Sequence, residues 1–165
     1  MSKIAYFVVG AEGSGTRMMT HALTLSGVHE DYAQWDFGDT PTLNTPHDKI
    51  VIHRSLPHGQ AWPNLYLIEK TLREAGFSVV PIAMIRDINA TVNSQLRRGY
   101  CDTWLHGYTK ARNALQTIFA QLPTVTPVTY EAFCLNPKFR TWLFTQHLKL
   151  PNSTIDIQYA NEKYY

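Results

Sequence analysis

Cysteine is scarce: Cys101 and Cys134 are the only two among 165 residues. They fit no metal-ligand spacing and cannot by themselves declare a disulfide framework, so both are expected as buried or idle thiols. No apolar run approaches the roughly 18 residues that a membrane helix needs. The opening MSKIAYFVVG has no charged region, long apolar core or cleavage site of a signal peptide, and a soluble, cytoplasmic protein is expected. Neither sign of charge dominates. Fifteen Lys and Arg stand against thirteen Asp and Glu, a formal charge of +2 spread along the chain, which argues against nucleic-acid binding through bulk electrostatics. There is no repeat, low-complexity tract or linker, so residues 1–165 read as one domain, and 44% hydrophobic content is enough for a core.

What is present is an alternation. Lys3 to Val9 is a short apolar run consistent with a buried parallel strand, and Met18, Met19, Ala22, Leu23 and Leu25 then repeat at helical spacing from Gly15 to Leu25, before Gly27. Val28 to Asp48 lacks periodicity and reads as loop with at most one short irregular element. Lys49 to His53 reads as a second strand, Leu65 to Ala75 as a helix ended by Gly76, and Phe77 to Ile85 as a third strand. Helices over Asn89 to Arg98 and Thr103 to Leu122 and a strand near Val125 to Tyr130 complete the pattern. The expected fold is α/β: three layers, with helices flanking a mostly parallel central sheet whose ligands sit beyond the carboxyl ends of the strands.

Between the first strand and the first helix lies VVGAEGSGTRM, Val8 to Met18. Gly10 and Gly15 have the spacing of a phosphate-binding loop, and Gly13, Ser14 and Gly15 allow an anion close to successive backbone N–H groups and a helix N-terminus. Thr16, however, stands where a nucleoside-triphosphate kinase has its lysine, and Arg17 where it has the Ser/Thr that meets magnesium. The acid at a good strand end, Asp87, follows Arg86, and a basic neighbour suits a second phosphate better than a metal ion. Metal-assisted phosphoryl transfer is disfavoured.

Three stretches together resemble the sulfotransferases that use 3′-phosphoadenosine 5′-phosphosulfate (PAPS). GAEGSGTR resembles their 5′-phosphosulfate loop, with Ser14, Gly15 and Thr16 as its core; AMIRDINATVNSQL resembles their 3′-phosphate segment, with Arg86 at a strand end and Ser94 on the next helix; VTYEAFCLNP resembles their late Tyr-Glu stretch at Tyr130 and Glu131. The resemblance implies a P-loop domain that binds PAPS, releases adenosine 3′,5′-bisphosphate (PAP), and passes the sulfuryl group without a metal to a hydroxyl or amine of a small-molecule or carbohydrate acceptor. It also implies two anion sites: Gly10, Gly13, Ser14, Gly15, Thr16 and Arg17 for the phosphosulfate, Arg86 and Ser94 for the 3′-phosphate. A forked guanidinium and a neutral hydroxyl are suitable groups for that second phosphate.

The chain departs from the family at three points. Gly13 replaces the Lys or Arg before Ser-Gly-Thr, Ile88 replaces a proline, and the C-terminal glycine-rich basic segment has no counterpart. Arg17, Arg54 or Lys3 is expected to supply the missing cation. For the base, His53 in KIVIHRSLP is the first candidate, because imidazole titrates near neutrality and strand ends face the site; a positioned base of this type is worth about 10²–10⁴-fold in rate. Glu12 ranks second and His58 third. The aromatics Tyr32, Trp35, Phe37 and Trp62, with Trp104, His106 and Tyr108 opposite, are expected to line either an acceptor pocket or the core. The alternatives are a small-molecule or nucleotide kinase with Arg17 in the lysine's role, and a nucleotide-binding module without catalysis.

Overall fold

The structure, a computed structural model, describes residues 3–30, 43 and 45–151. Its centre is β1 (Lys3–Ala11), flanked in parallel by β3 (Lys49–Leu56) and β4 (Phe77–Ile85). The short β2 (His29–Glu30) pairs with β3 and β5 (Thr126–Thr129) with β4, giving a parallel five-stranded sheet in the order β2-β3-β1-β4-β5. A central parallel strand is covered on both faces, so it can be apolar at consecutive positions. Ala5 through Val9 are all buried.

Strand pleating divides those side chains between two cores. Ala5, Phe7, Val9 and Ala11 join Ile50, Ile52 and Leu56 under α2 (Leu65–Glu74) and α4 (Trp104–Gln121), which contribute Ile68, Leu72, Ala114 and Ile118. Tyr6 and Val8 point the other way, toward Met19 and Leu23 of α1 (Thr16–Leu25) and Phe133 of α5 (Tyr130–Leu135). The chain continues through α6 (Pro137–Trp142) into a π-helical turn, Leu143–His147, whose Leu143 and Phe144 close this second core. Meanwhile α3 (Ile88–Arg97) packs on α4.

The α/β alternation is observed, with boundary shifts that have physical causes. β1 runs past Val9 to include Gly10 and Ala11, and β3 runs past His53 to Leu56, because each extension continues the parallel ladder: Gly10 lies opposite Ser55 and Ala11 opposite Leu56. The expected last strand is shorter, since Tyr130 starts α5. Both α5 and α6 are too short to show a period in sequence; α6 is defined locally by Asn136, whose side chain accepts from the Phe139 N–H at 3.0 Å, and by Pro137 at its first position. Cys101 and Cys134 are free and buried. Among the described residues no helix is long and apolar enough to cross a membrane.

Candidate functional site

From β1 the chain moves to the β2–β3 side of the sheet and then crosses to β4 on the other. The crevice at the carboxyl end of β1 is therefore the switch point where open α/β sheets bind ligands. There, Glu12 to Gly15 make the turn into α1. The Ser14 N–H donates to the Ala11 carbonyl at 3.0 Å, and Gly13 and Gly15 take φ of +86° and +99°, which glycine adopts without strain. Gly15 meets a second demand: a Cβ there would lie 2.7 Å from Cδ2 of Tyr130. Among the described residues no side chain caps α1, and its first-turn N–H groups face solvent or an anion.

A cleft of about 510 Å³ opens over this loop, with Gly13, Gly15 and Thr16 on its floor and Arg17, Arg86 and Arg98 around it. Three guanidiniums in one concavity make it an attractive site for an anion. Nη1 of Arg86 donates to the Gly13 carbonyl at 2.9 Å, while its guanidinium carbon sits 4.4 Å from the Tyr130 ring centroid. Next to it, Asp87 accepts from the Ala90 N–H at 3.0 Å and so caps α3, and its own N–H donates to Glu131 at 3.0 Å. The acid at this strand end is thus engaged in helix capping.

Two histidines line the same cleft. His53, opposite Val8 in the ladder, has Nδ1 3.8 Å from Oε1 of Glu30. Burial holds its pKa below the ordinary histidine value; the Glu30 charge opposes this, and Arg17 and Arg54 reinforce it. His58 is lowered as well, by burial first and by Arg54 next, and its Nδ1 lies 3.3 Å from the Ser55 hydroxyl. Both imidazoles are therefore neutral near pH 7 and able to accept a proton.

The fold brings Glu12, Gly13, Gly15, Thr16, Arg17, His53, His58 and Arg86 to one cleft, but not all the candidates from sequence. Ser94 does not line it: the side chain is 1% exposed and lies beneath the loop, where a Cβ on Gly13 would come within 3.1 Å of its Cβ. Its place facing the cleft is taken by Arg98, one helical turn further along. Ser14 is also buried, and neither serine hydroxyl has a hydrogen-bond partner among the described residues. Gly10 is a strand residue with no room for a side chain, a Cβ there lying 2.8 Å from the Met84 carbonyl oxygen. Lys3 stands at the opposite end of β1 from the loop, over the Phe77 ring, which removes it as a source of the loop's cation.

Glu12 reaches the cleft wall with its carboxylate already engaged. It is 6% exposed, with Oε1 accepting from the Gly59 N–H at 3.1 Å and Oε2 ion-paired to Nζ of Lys110 at 3.2 Å. Its carbonyl accepts from Gln95 at 2.8 Å. A carboxylate held this way braces the loop. Lys110, Arg98 and Tyr100 were not legible as site residues; the only sequence signal was the placing of Arg98 four residues after Ser94 on one helix face. Tyr32, Trp35 and Phe37 lie outside the described residues. Trp104 stacks on Tyr108 with centroids 5.3 Å apart.

Compared with protein-family models, curated proteins and solved structures, the chain finds no match in any of the three.

Proposed function

We propose that this protein is a PAPS-dependent sulfotransferase of P-loop type, which transfers the sulfuryl group to a hydroxyl or amine of a small-molecule or carbohydrate acceptor. The observation that carries the reading is the convergence of Arg17, Arg86 and Arg98 on the uncapped start of α1 and its glycine turn. A donor with phosphosulfate at one end and a 3′-phosphate at the other requires two anion subsites. The loop N–H groups, Thr16 and Arg17 form the first, and Arg86 with Arg98 the second. The Ser14 hydroxyl, buried without a hydrogen-bond partner among the described residues, is an unmet donor beside the first.

Transfer is in line. The acceptor oxygen or nitrogen forms a bond to sulfur as the bond from sulfur to the bridging 5′-phosphate oxygen breaks; the electron pair leaves with PAP, and the acceptor proton passes to His53. Neutral at working pH, His53 is a competent base, and Arg17 offsets the charge that develops on the leaving phosphate. Thus the cation absent from position 13 is supplied from the first turn of the helix.

Calorimetric titration with PAP, and with ATP with and without magnesium, tests the donor class. Metal-independent PAP binding that is lost in Arg86→Ala is the expected result. Preference for magnesium-ATP would favour a kinase, and PAP binding without turnover over a broad acceptor panel would favour a non-catalytic module.

A further inference from the structure

A second cleft, of about 540 Å³, adjoins the first and shares with it the wall formed by Glu12, Gly59 and Tyr100. The wall is held by hydrogen bonds and an ion pair. The His58 N–H donates to the Ala61 carbonyl at 2.8 Å and the Ala61 N–H to the His58 carbonyl at 3.2 Å, closing a tight turn in which Gly59 has φ of +64°. Glu12 ties this turn to Lys110, whose Nζ also donates to the Tyr100 carbonyl at 2.7 Å. One turn therefore presents His58 to the arginine-lined cleft and Gln60 and Trp62 to its neighbour.

The neighbour has different chemistry. The arginines of the first cleft do not line it; Asp102 and His106 do, and Lys110, the one Lys or Arg among the described residues of its wall, is neutralised by Glu12. Trp62 and Tyr100 stay 45% and 40% exposed on its rim. Large aromatic faces left open beside a carboxylate, a primary amide and an imidazole offer an apolar platform together with both donors and acceptors. A hydroxyl-rich ring has the complementary surface, with C–H faces to lie on the aromatic rings and hydroxyls to pair with the polar groups. A phenol would leave most of those polar groups unpaired, and an anion would meet Asp102.

We propose that this second cleft is the acceptor site and takes a neutral carbohydrate ring, whose hydroxyl reaches past the shared Gly59 wall to the sulfuryl group and His53; as an acceptor site it rests on the donor reading above. Trp62 is the stacking platform and Asp102 the hydroxyl acceptor.

Saturation-transfer NMR and calorimetry on the full chain, with methyl glucoside, methyl galactoside, N-acetylglucosamine and 4-nitrophenol as probes and PAP titrated separately, test this. The expected result is binding of at least one sugar, weakened about tenfold in Trp62→Ala and also weakened in the isosteric Asp102→Asn, with PAP affinity unchanged in both. Sugar binding that is indifferent to both substitutions overturns the proposal, as does binding of 4-nitrophenol alone or of no probe by a protein that binds PAP. Sugar binding by a protein that does not bind PAP overturns the acceptor role through failure of the donor reading, and is recognised as such because the sugar still depends on Trp62.

Discussion

The Arg86 guanidinium spans the loop carbonyl of Gly13, 2.9 Å from Nη1, and the ring of Tyr130, 4.4 Å from its carbon. One residue thus joins the end of β4 to the glycine turn and to the start of α5. A planar, forked cation can do both at once, whereas a lysine cannot. Arg86→Lys is therefore expected to behave much like Arg86→Ala. In both, PAP affinity falls by about 10- to 100-fold, the scale of a charge-assisted hydrogen bond, as read by calorimetry. Near-full affinity in the lysine variant would mean that only the charge matters.

Gly15 packs against the same tyrosine. Gly15→Ala places a Cβ 2.7 Å from its ring at φ of +99°, so the loop or Tyr130 must shift. A loss of roughly 1–3 kcal/mol in stability, with weakened PAP binding, is expected from left-handed strain plus overpacking. Urea unfolding and titration measure the two effects. Gly59→Ala, where a Cβ meets nothing within 4 Å, separates backbone strain from crowding.

Acid should both inactivate and destabilise this protein through His53. Its folded pKa lies below the ordinary 6.5, so the unfolded chain binds the proton more readily. Stability is then full above the unfolded value and is lost as pH falls from there toward the folded value. The melting temperature is expected to fall between pH 7 and pH 5 more steeply in the wild type than in His53→Gln. The acid limb of kcat/KM should lie below 6.5, and the variant should lose about 10²–10⁴-fold in kcat. If His58→Gln shows that loss and His53→Gln does not, the base is His58.

Glu12 and Lys110 are separated by 98 positions in sequence and paired at 3.2 Å, with side chains 6% and 15% exposed. Removing either alone leaves an uncompensated, largely buried charge, expected to cost about 3–5 kcal/mol, while removing both is far milder. A double-mutant cycle with Glu12→Gln and Lys110→Met reads the coupling. Additive effects would show that the pair contributes no more than two independent surface groups.

Tyr6, in the middle of β1, donates its hydroxyl to the Leu148 carbonyl at 2.9 Å, and burial pushes its pKa up to about 12. The bond fastens the π-helical turn to the central strand. Tyr6→Phe strands that carbonyl and should lower stability by about 1–3 kcal/mol. Hydrogen exchange at residues 143–150 should rise with it.

The order of strands and helices was open to inspection in the sequence because its signals are local. The apolar run from Lys3 to Val9 calls for a buried parallel strand, helical spacing from Gly15 to Leu25 calls for a helix, and the small residues Gly10, Gly13, Ser14 and Gly15 mark the turn between them. What a side chain faces is another matter. Ser94 lies in the last turn of α3 and Arg98 caps its C-terminus, yet packing of α3 beneath the Gly13 turn buries the serine and leaves the arginine in the cleft. Glu12 looks like a free acid until α4 brings Lys110 to it across 98 positions. Sequence alone determined the succession of the longer strands and helices and the glycine turn, since these depend on neighbours within a few residues, whereas β2, α5, α6 and the π-helical turn are too short to carry such a signal. Only the tertiary structure decided which charges remain open to a ligand and which neutralise each other, because charge pairing and burial depend on distances that the folded chain creates between remote residues.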